Sequence, residues 1–167
     1  MKKSLLIITL LASFGLTGCI EGFYFNDHRQ QELERAERKW NRAYIVDYDY
    51  DAYHDDPYGL VGFYKVVVRN GRVVDAYNIN TGRDVPSNQL HKVPTVQNLF
   101  DEIYRALDRH FDVLEVDYDH EFGFPSYLFL DVNRHSRNDE YSIEITDMYL
   151  YFAQKYDQPM KISGSTR

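Results

Sequence analysis

An α+β fold, a small antiparallel sheet of about five to six strands with one or two helices packed on one face, follows from three features of the sequence. Two stretches carry apolar residues at helical spacing, several others alternate with a period of two or form short β-rich runs, and the order is helix, three strands, helix, three strands. Strands that follow one another through short turns pair antiparallel, and two amphipathic helices are enough to cover one face. The chain has 167 residues, of which 44% are apolar, so that after loss of an amino-terminal signal it holds one core and one domain. The division expected is a signal peptide over residues 1–18, a tether over 19–26, a domain over 27–156 and a flexible tail over 157–167.

The signal is the clearest feature. Lys2 and Lys3 form a positive start, Leu5 to Leu11 an apolar run too short to span a bilayer, and Gly15, Thr17 and Gly18 a small-residue region. Leu16-Thr17-Gly18-Cys19 resembles the lipobox of bacterial lipoproteins, in which the cysteine thiol is diacylated and the chain is cleaved before it. Each buried methylene contributes about 0.8 kcal/mol, so one acyl chain holds marginally and two or three hold stably. The membrane partner expected is therefore the lipid anchor at Cys19. Ile20 rather than Asp follows it, which by the sorting rule of Gram-negative cells directs the protein to the outer membrane, facing the periplasm.

Cys19 is the only cysteine, so no disulfide can staple the domain. The net charge of −7 argues against nucleic acid as a partner. No phosphate loop, dinucleotide glycine pattern, Gly-x-Ser-x-Gly or HExxH occurs, and no cofactor is expected.

Asp27 with Gln30 reads as a capping box opening the first helix, whose inward stripe is Leu33, Ala36, Trp40 and Ala43. From Tyr44 the period becomes two. Tyr44, Val46, Tyr48 and Tyr50 share one face of a strand, and Asp47, Asp49 and Asp51 the other. Leu60 to Arg69 and Arg72 to Ile79 flank Asn70-Gly71, the pair that a type I′ hairpin selects because both turn residues need positive φ. After a polar excursion from Thr81 to Pro94, Thr95 caps a second helix with the stripe Val96, Leu99, Phe100, Ile103 and Leu107. Val113 to Tyr118, Tyr127 to Val132 and Tyr141 to Asp147 are strand-like, Met148 to Tyr156 fits either strand or helix, and the tail from Gln158 reads as frayed.

Taken in order, Tyr48-Asp49-Tyr50, Val66 to Val74 around Asn70-Gly71, Pro94-Thr95-Val96 with Leu99-Phe100-Asp101, and Val116-Asp117-Tyr118-Asp119 through Gly123-Phe124-Pro125 to Asp131, with Asp139-Glu140 beyond, resemble a bacterial lipoprotein family called domain of unknown function 6174 (DUF6174). The resemblance covers Trp40 to Asp147. It implies lipidation and a small α+β fold, and supplies no activity, substrate or catalytic residue. Where members of that family carry a cysteine pair after the first strand, this chain has Tyr53, His54, Asp55 and Asp56.

Three groups of residues could carry function. Asp47, Asp49 and Asp51 could share a hard cation, although Ala52 and Tyr58 stand where an EF-hand needs Gly and Glu, and a solvent-facing strand side kept soluble by charge is the better explanation. Asp119, His120 and Glu121 could act as acid and base in a carboxylate-based or metal-dependent hydrolase of an envelope polymer, the alternative to a binding role. The remaining histidines, His54 among them, read as surface imidazoles. The third group is aromatic: 15 Tyr and 10 Phe are present, and Tyr44, Tyr48, Tyr50 and Tyr64 mark a binding face for an envelope protein or glycan. The expectation is a non-enzymatic binding or scaffold module with no catalytic residues.

Overall fold

The computed structural model of the chain describes residues 18–56, 59–136, 139–152 and 159–163, with side chains from residue 28 onward. The signal features before Gly18 and the side chain of Cys19 lie outside the described residues. Ten elements follow in order: α1 (Gly18–Arg42), β1 (Asp47–Asp55), β2 (Val61–Arg69), β3 (Arg72–Asn78), a 3-10 helix (Ser87–Lys92), α2 (Val96–Arg109), β4 (Val113–Tyr118), β5 (Pro125–Asp131), β6 (Glu140–Tyr151) and β7 (Met160–Ser163). The strands form one antiparallel sheet in the order β3-β2-β1-β6-β5-β4, with β7 also paired to β6. This is the expected α+β class, with one strand more than expected.

The alternation of β1 fixes the orientation of the whole sheet. Tyr48, Tyr50, Ala52 and His54 point inward, Val66 and Val68 of β2 and Ile143, Ile145, Met148 and Leu150 of β6 join them, and all are buried. Both helices cover this face. From α1 come Leu33, Ala36 and Trp40, and from α2 Val96, Leu99, Phe100, Ile103 and Ala106. The Trp40 ring meets Tyr48 edge-on at 5.4 Å and Phe124 at 6.1 Å, which seats α1 on the sheet. Glu37 ties the helices together by accepting from Gln97 Nε2 at 3.1 Å and from Tyr104 Oη at 2.8 Å.

Local chemistry explains the boundaries. Asn70 and Gly71 both have positive φ, 50° and 70°, as the hairpin turn between β2 and β3 requires. Thr95 caps α2 by accepting from the Asn98 N–H, and Asn98 returns the bond to the Thr95 N–H, completing a capping box. His110 ends α2 in the left-handed conformation.

The structure corrects two boundaries. The helix expected to open at Asp27 is continuous from Gly18, so that the residues read as a tether, 19–26, are helical. No proline stands between Cys19 and Arg42, and each residue added to an existing helix gains a backbone hydrogen bond without a new nucleation cost. At the other end, the tail expected to fray contributes β7. Pairing of β6 with β5 stops at Glu144, and the β6 backbone from Asp147 to Leu150 would otherwise face no strand on that side. Of the segment read as strand or helix, Met148 to Tyr151 continues β6, and residues 153–156 lie outside the described residues.

Tyr48 and Tyr50 carry polar tips into the core, and both are satisfied. The Tyr48 oxygen accepts the Val96 N–H at 2.8 Å, one of the donors left unpaired at the start of α2, and the Tyr50 hydroxyl donates to the Pro94 carbonyl. Tyr50→Phe should therefore cost about 1–2 kcal/mol in denaturant unfolding, because a partly buried carbonyl loses its donor. Tyr44→Phe, at a residue 88% exposed, should change nothing measurable and is the control.

Candidate functional site

The inward register of β1 ends at His54, which is 1% exposed although it stands one residue from the end of the strand. Its ring packs edge-on against Tyr64 at 5.8 Å and tilted over Tyr50 at 6.4 Å. Beyond these rings the layers separate. The helical layer leaves the sheet where the 3-10 segment passes through Lys92, Val93 and Pro94 into α2, and a cavity of about 400 Å³ opens between that segment, the exposed side of α2 and the ends of β5 and β6.

Four elements furnish its polar groups, the 3-10 helix contributing His91 and Lys92. His54 and Asp56 come from β1 and the loop after it, Asn98, Glu102 and Arg105 from successive turns of α2, and Asp139 and Tyr141 from the start of β6. Spacing of four and three residues places the α2 side chains on one flank of the helix. Leu60, Val93, Phe111, Leu130 and Val132 make the apolar wall. Arg105 Nη2 and Glu102 Oε1 form an ion pair at 2.9 Å.

Two buried polar atoms of the lining have no hydrogen-bond partner among the described residues: His54 Nε2 and Asp139 Oδ1. Such groups are rare in folded proteins, because each forfeits its hydration without replacement. Burial holds the His54 imidazole at a pKa of about 4, so at neutral pH the ring is uncharged. Burial, with Asp56 and Glu102 nearby, pushes the Tyr141 hydroxyl far up, so it too stays neutral. The cavity thus offers a neutral imidazole, a phenol, an amide, one internal ion pair and additional carboxylates against an apolar wall. Polar and apolar groups share the lining about equally, so that a ligand here would meet both.

The model of a family of unknown function, DUF6174, matches residues 32–150. The chain belongs to the DUF6174 family. Every cavity residue named above lies within the matched span of this DUF6174 domain. Comparison with curated proteins and with solved structures gives no match.

The residues that the sequence pattern grouped lie in the DUF6174 domain as follows. Tyr48 and Tyr50 are 2% and 1% exposed, Tyr64 is partly buried on the same inner face, and Tyr44 lies outside β1 at a positive φ of 51°. These four tyrosines therefore form no common surface. The face they were expected to mark is packed by α1 and α2, because the strand's apolar side must meet the helices and Tyr serves there as an apolar body with a bonded tip.

Asp47, Asp49 and Asp51 do share the outer face, but each is engaged separately. Asp47 Oδ1 accepts the Asn70 N–H at 2.7 Å, Asp49 receives Arg69 at 2.7 Å and the Tyr151 hydroxyl at 2.9 Å, and Asp51 Oδ1 lies 3.3 Å from Lys65 Nζ. That last pair is a charge contact without hydrogen-bond geometry. Among the described residues no group of three or more His, Cys, Asp or Glu is arranged to hold a metal ion.

The loop from Asp119 to Glu121 also has a structural duty. Asp119 Oδ1 accepts the N–H groups of Glu121 at 3.1 Å and Phe122 at 2.6 Å, closing the turn, while Lys39 of α1 donates to the His120 carbonyl at 2.7 Å. The Asp119 carboxylate is thus occupied by backbone donors.

Sequence reasoning classed His54 as a surface imidazole. The available signal was the alternation itself, since His54 shares parity with Tyr48, Tyr50 and Ala52. The outer face of the sheet, opposite both helices, is the other feature that emerges. There Lys65 and Lys161 lie over the Tyr149 ring at 4.5 and 5.4 Å, Arg69 lies over Tyr151 at 4.6 Å, and Tyr53 meets Phe63 at 5.0 Å.

Proposed function

We propose that this chain is an envelope lipoprotein, acylated at Cys19 and anchored in the outer membrane facing the periplasm, whose domain is a non-enzymatic binding module for a small polar ligand. The observation that carries the binding reading is the cavity at His54, where two buried polar atoms await partners beside an apolar wall. Its chemistry favours recognition over turnover. No Ser, Thr or Cys is among the residues that line it. A histidine whose pKa is about 4 is a weak base at neutral pH, and it holds no proton in excess to give as an acid.

The anchor rests on the Lys2-Lys3 start, the apolar run and the Leu16-Thr17-Gly18-Cys19 sequence. No helix among the described residues is long and apolar enough to cross a membrane. Because α1 is helical from Gly18, an acyl group on Cys19 would leave the domain close to the lipid surface. Cells fed labelled palmitate should incorporate label into the wild-type chain and none into Cys19→Ser. Equal labelling of both would overturn the anchor.

A second surface supports an additional envelope partner, protein or glycan. The sheet face that no helix among the described residues covers offers tyrosine rings flanked by cations whose charges are already matched by Asp49, Asp51 and Asp147, so that little unpaired charge must be dehydrated on contact. Crosslinking in cells should recover one abundant envelope component with the wild-type chain and lose it with Tyr149→Ala in folded protein. Unchanged recovery would remove this face from consideration.

A further inference from the structure

We infer that the half of the outer sheet face around Tyr53 and Phe63 docks a basic protein segment, whose lysine or arginine side chains lie over aromatic rings beside Asp55, Glu115 and Glu144. The inference rests on the partner reading of that face given above and specifies what the partner carries there.

Strand register lays out the face. Residues paired across antiparallel strands point to the same side of a sheet. One half holds the rows Tyr149, Asp49, Val67 and Asp147, Asp51, Lys65. Past the irregularity between Asp51 and Ala52 comes a row of Tyr127, Glu144, Tyr53 and Phe63. The next row is Phe129, Ser142, Asp55 and Val61, with Glu115 paired to Phe129 on the edge strand β4.

The first half shows how this surface settles a cation. Lys65 Nζ lies 3.3 Å from Asp51 and 4.5 Å from the centre of the Tyr149 ring. Arg69 lies 2.7 Å from Asp49 and 4.6 Å from the Tyr151 ring, and Lys161 lies 2.9 Å from Asp147 and 5.4 Å from the Tyr149 ring. Each cation thus has one carboxylate and one aromatic face.

The second half has the rings and the carboxylates without the cations. Tyr53 and Phe63 meet edge-on at 5.0 Å, Phe63 remains 40% exposed, and Tyr127 and Phe129 are half-buried. The carboxylates of Asp55, Glu115 and Glu144 form no hydrogen bond or ion pair among the described residues, whereas those of Asp49, Asp51 and Asp147 each do. A partner that supplies lysine or arginine completes here the arrangement that the first half makes internally.

Charge separates this occupant from the others. A neutral glycan would take water from the carboxylates and return no charge, and a second copy seated by the same half would bring like charges together. The net charge of −7 draws a basic partner toward the chain. An extended segment with basic residues at alternate positions presents them about 6–7 Å apart, the same repeat that separates Tyr53 from Asp55 along β1.

The test uses the full chain purified in detergent, with amide NMR shifts reporting the position of binding and calorimetry its strength. The probes are a short peptide alternating lysine with threonine, the same peptide with glutamine for lysine, and an oligomer of N-acetylglucosamine. The expected result is shifts at Tyr53, Asp55, Phe63 and Glu144 with the lysine peptide, weakening as salt is raised. Binding should be roughly tenfold weaker for the glutamine peptide, and for the lysine peptide with an Asp55→Asn, Glu144→Gln double variant of unchanged melting temperature. Equal binding of the two peptides, or unchanged binding by the double variant, overturns the basic-segment assignment. Shifts on this face with the sugar oligomer and none with the peptides overturn it too, while leaving the face as a partner site. If no probe shifts these residues the assignment falls, and the crosslinking comparison with Tyr149→Ala, which needs no probe, decides the partner reading separately.

Discussion

Gly123→Ala should destabilise the domain by about 2–4 kcal/mol, read as a lower denaturant midpoint at unchanged slope. Two costs combine at this residue. Gly123 has a φ of 82°, a conformation that an L side chain adopts only with strain of about 1–2 kcal/mol. A Cβ there would also collide with the Ala36 carbonyl oxygen of α1 and press on the Cβ of Lys39. Relief would require α1 to shift away from the sheet, loosening the Trp40 contacts with Tyr48 and Phe124. Gly82→Ala separates the two costs. Gly82 has a φ of 65° and open space where the Cβ would go, so it should lose only the conformational part, about 1 kcal/mol. Equal losses at the two glycines would show that the close approach of α1 to the loop after β4 contributes nothing.

Acidification from pH 7 to pH 4 should lower stability by about 3 kcal/mol more in the wild type than in His54→Phe. The ordinary imidazole pKa is 6.5, and burial brings that of folded His54 to about 4. Between these values the unfolded chain binds a proton that the folded chain does not, so stability rises with pH across the interval. The contribution is fully present above pH 6.5, declines as pH falls through the window, and changes no further below about 4. All other groups are common to both proteins, so that the difference isolates His54. Parallel pH profiles from urea unfolding would mean that the folded ring takes up its proton at the ordinary imidazole pKa, and that burial does not hold it neutral between pH 6.5 and 4.

Local signals reached the elements whose residues decide their own conformation. The Asn70-Gly71 turn, the Thr95 cap and the apolar stripes of both helices depend on neighbours within a few positions, and each stands where the spacing puts it. The cap shows one refinement. Asn98 rather than Glu or Gln completes the box, which is chemically equivalent because its side-chain oxygen also accepts the cap residue's N–H. Long-range pairing decided the rest. That β7 exists depends on a vacancy beside β6 left where β5 ends, and no pattern within Met160–Ser163 announces it.

The candidate site was the least legible part, and the reason is visible in β1. Alternation separated Tyr48, Tyr50 and His54 from Asp47, Asp49 and Asp51, but periodicity does not say which side faces the helices when both sides are polar or aromatic. The tyrosine side became the core because α1 and α2 bring their apolar stripes to it and supply partners for its hydroxyls. Those partners, the Pro94 carbonyl and the Val96 N–H, lie more than forty residues away in the chain. By itself the sequence determined the α+β class, the acidic character, the single cysteine at Cys19 and the resemblance to DUF6174, all of which are local or compositional properties. Only the tertiary structure decided which face of β1 is buried and that His54, Asp139 and the flank of α2 converge, because a cavity is made where separate elements fail to fill the space between them.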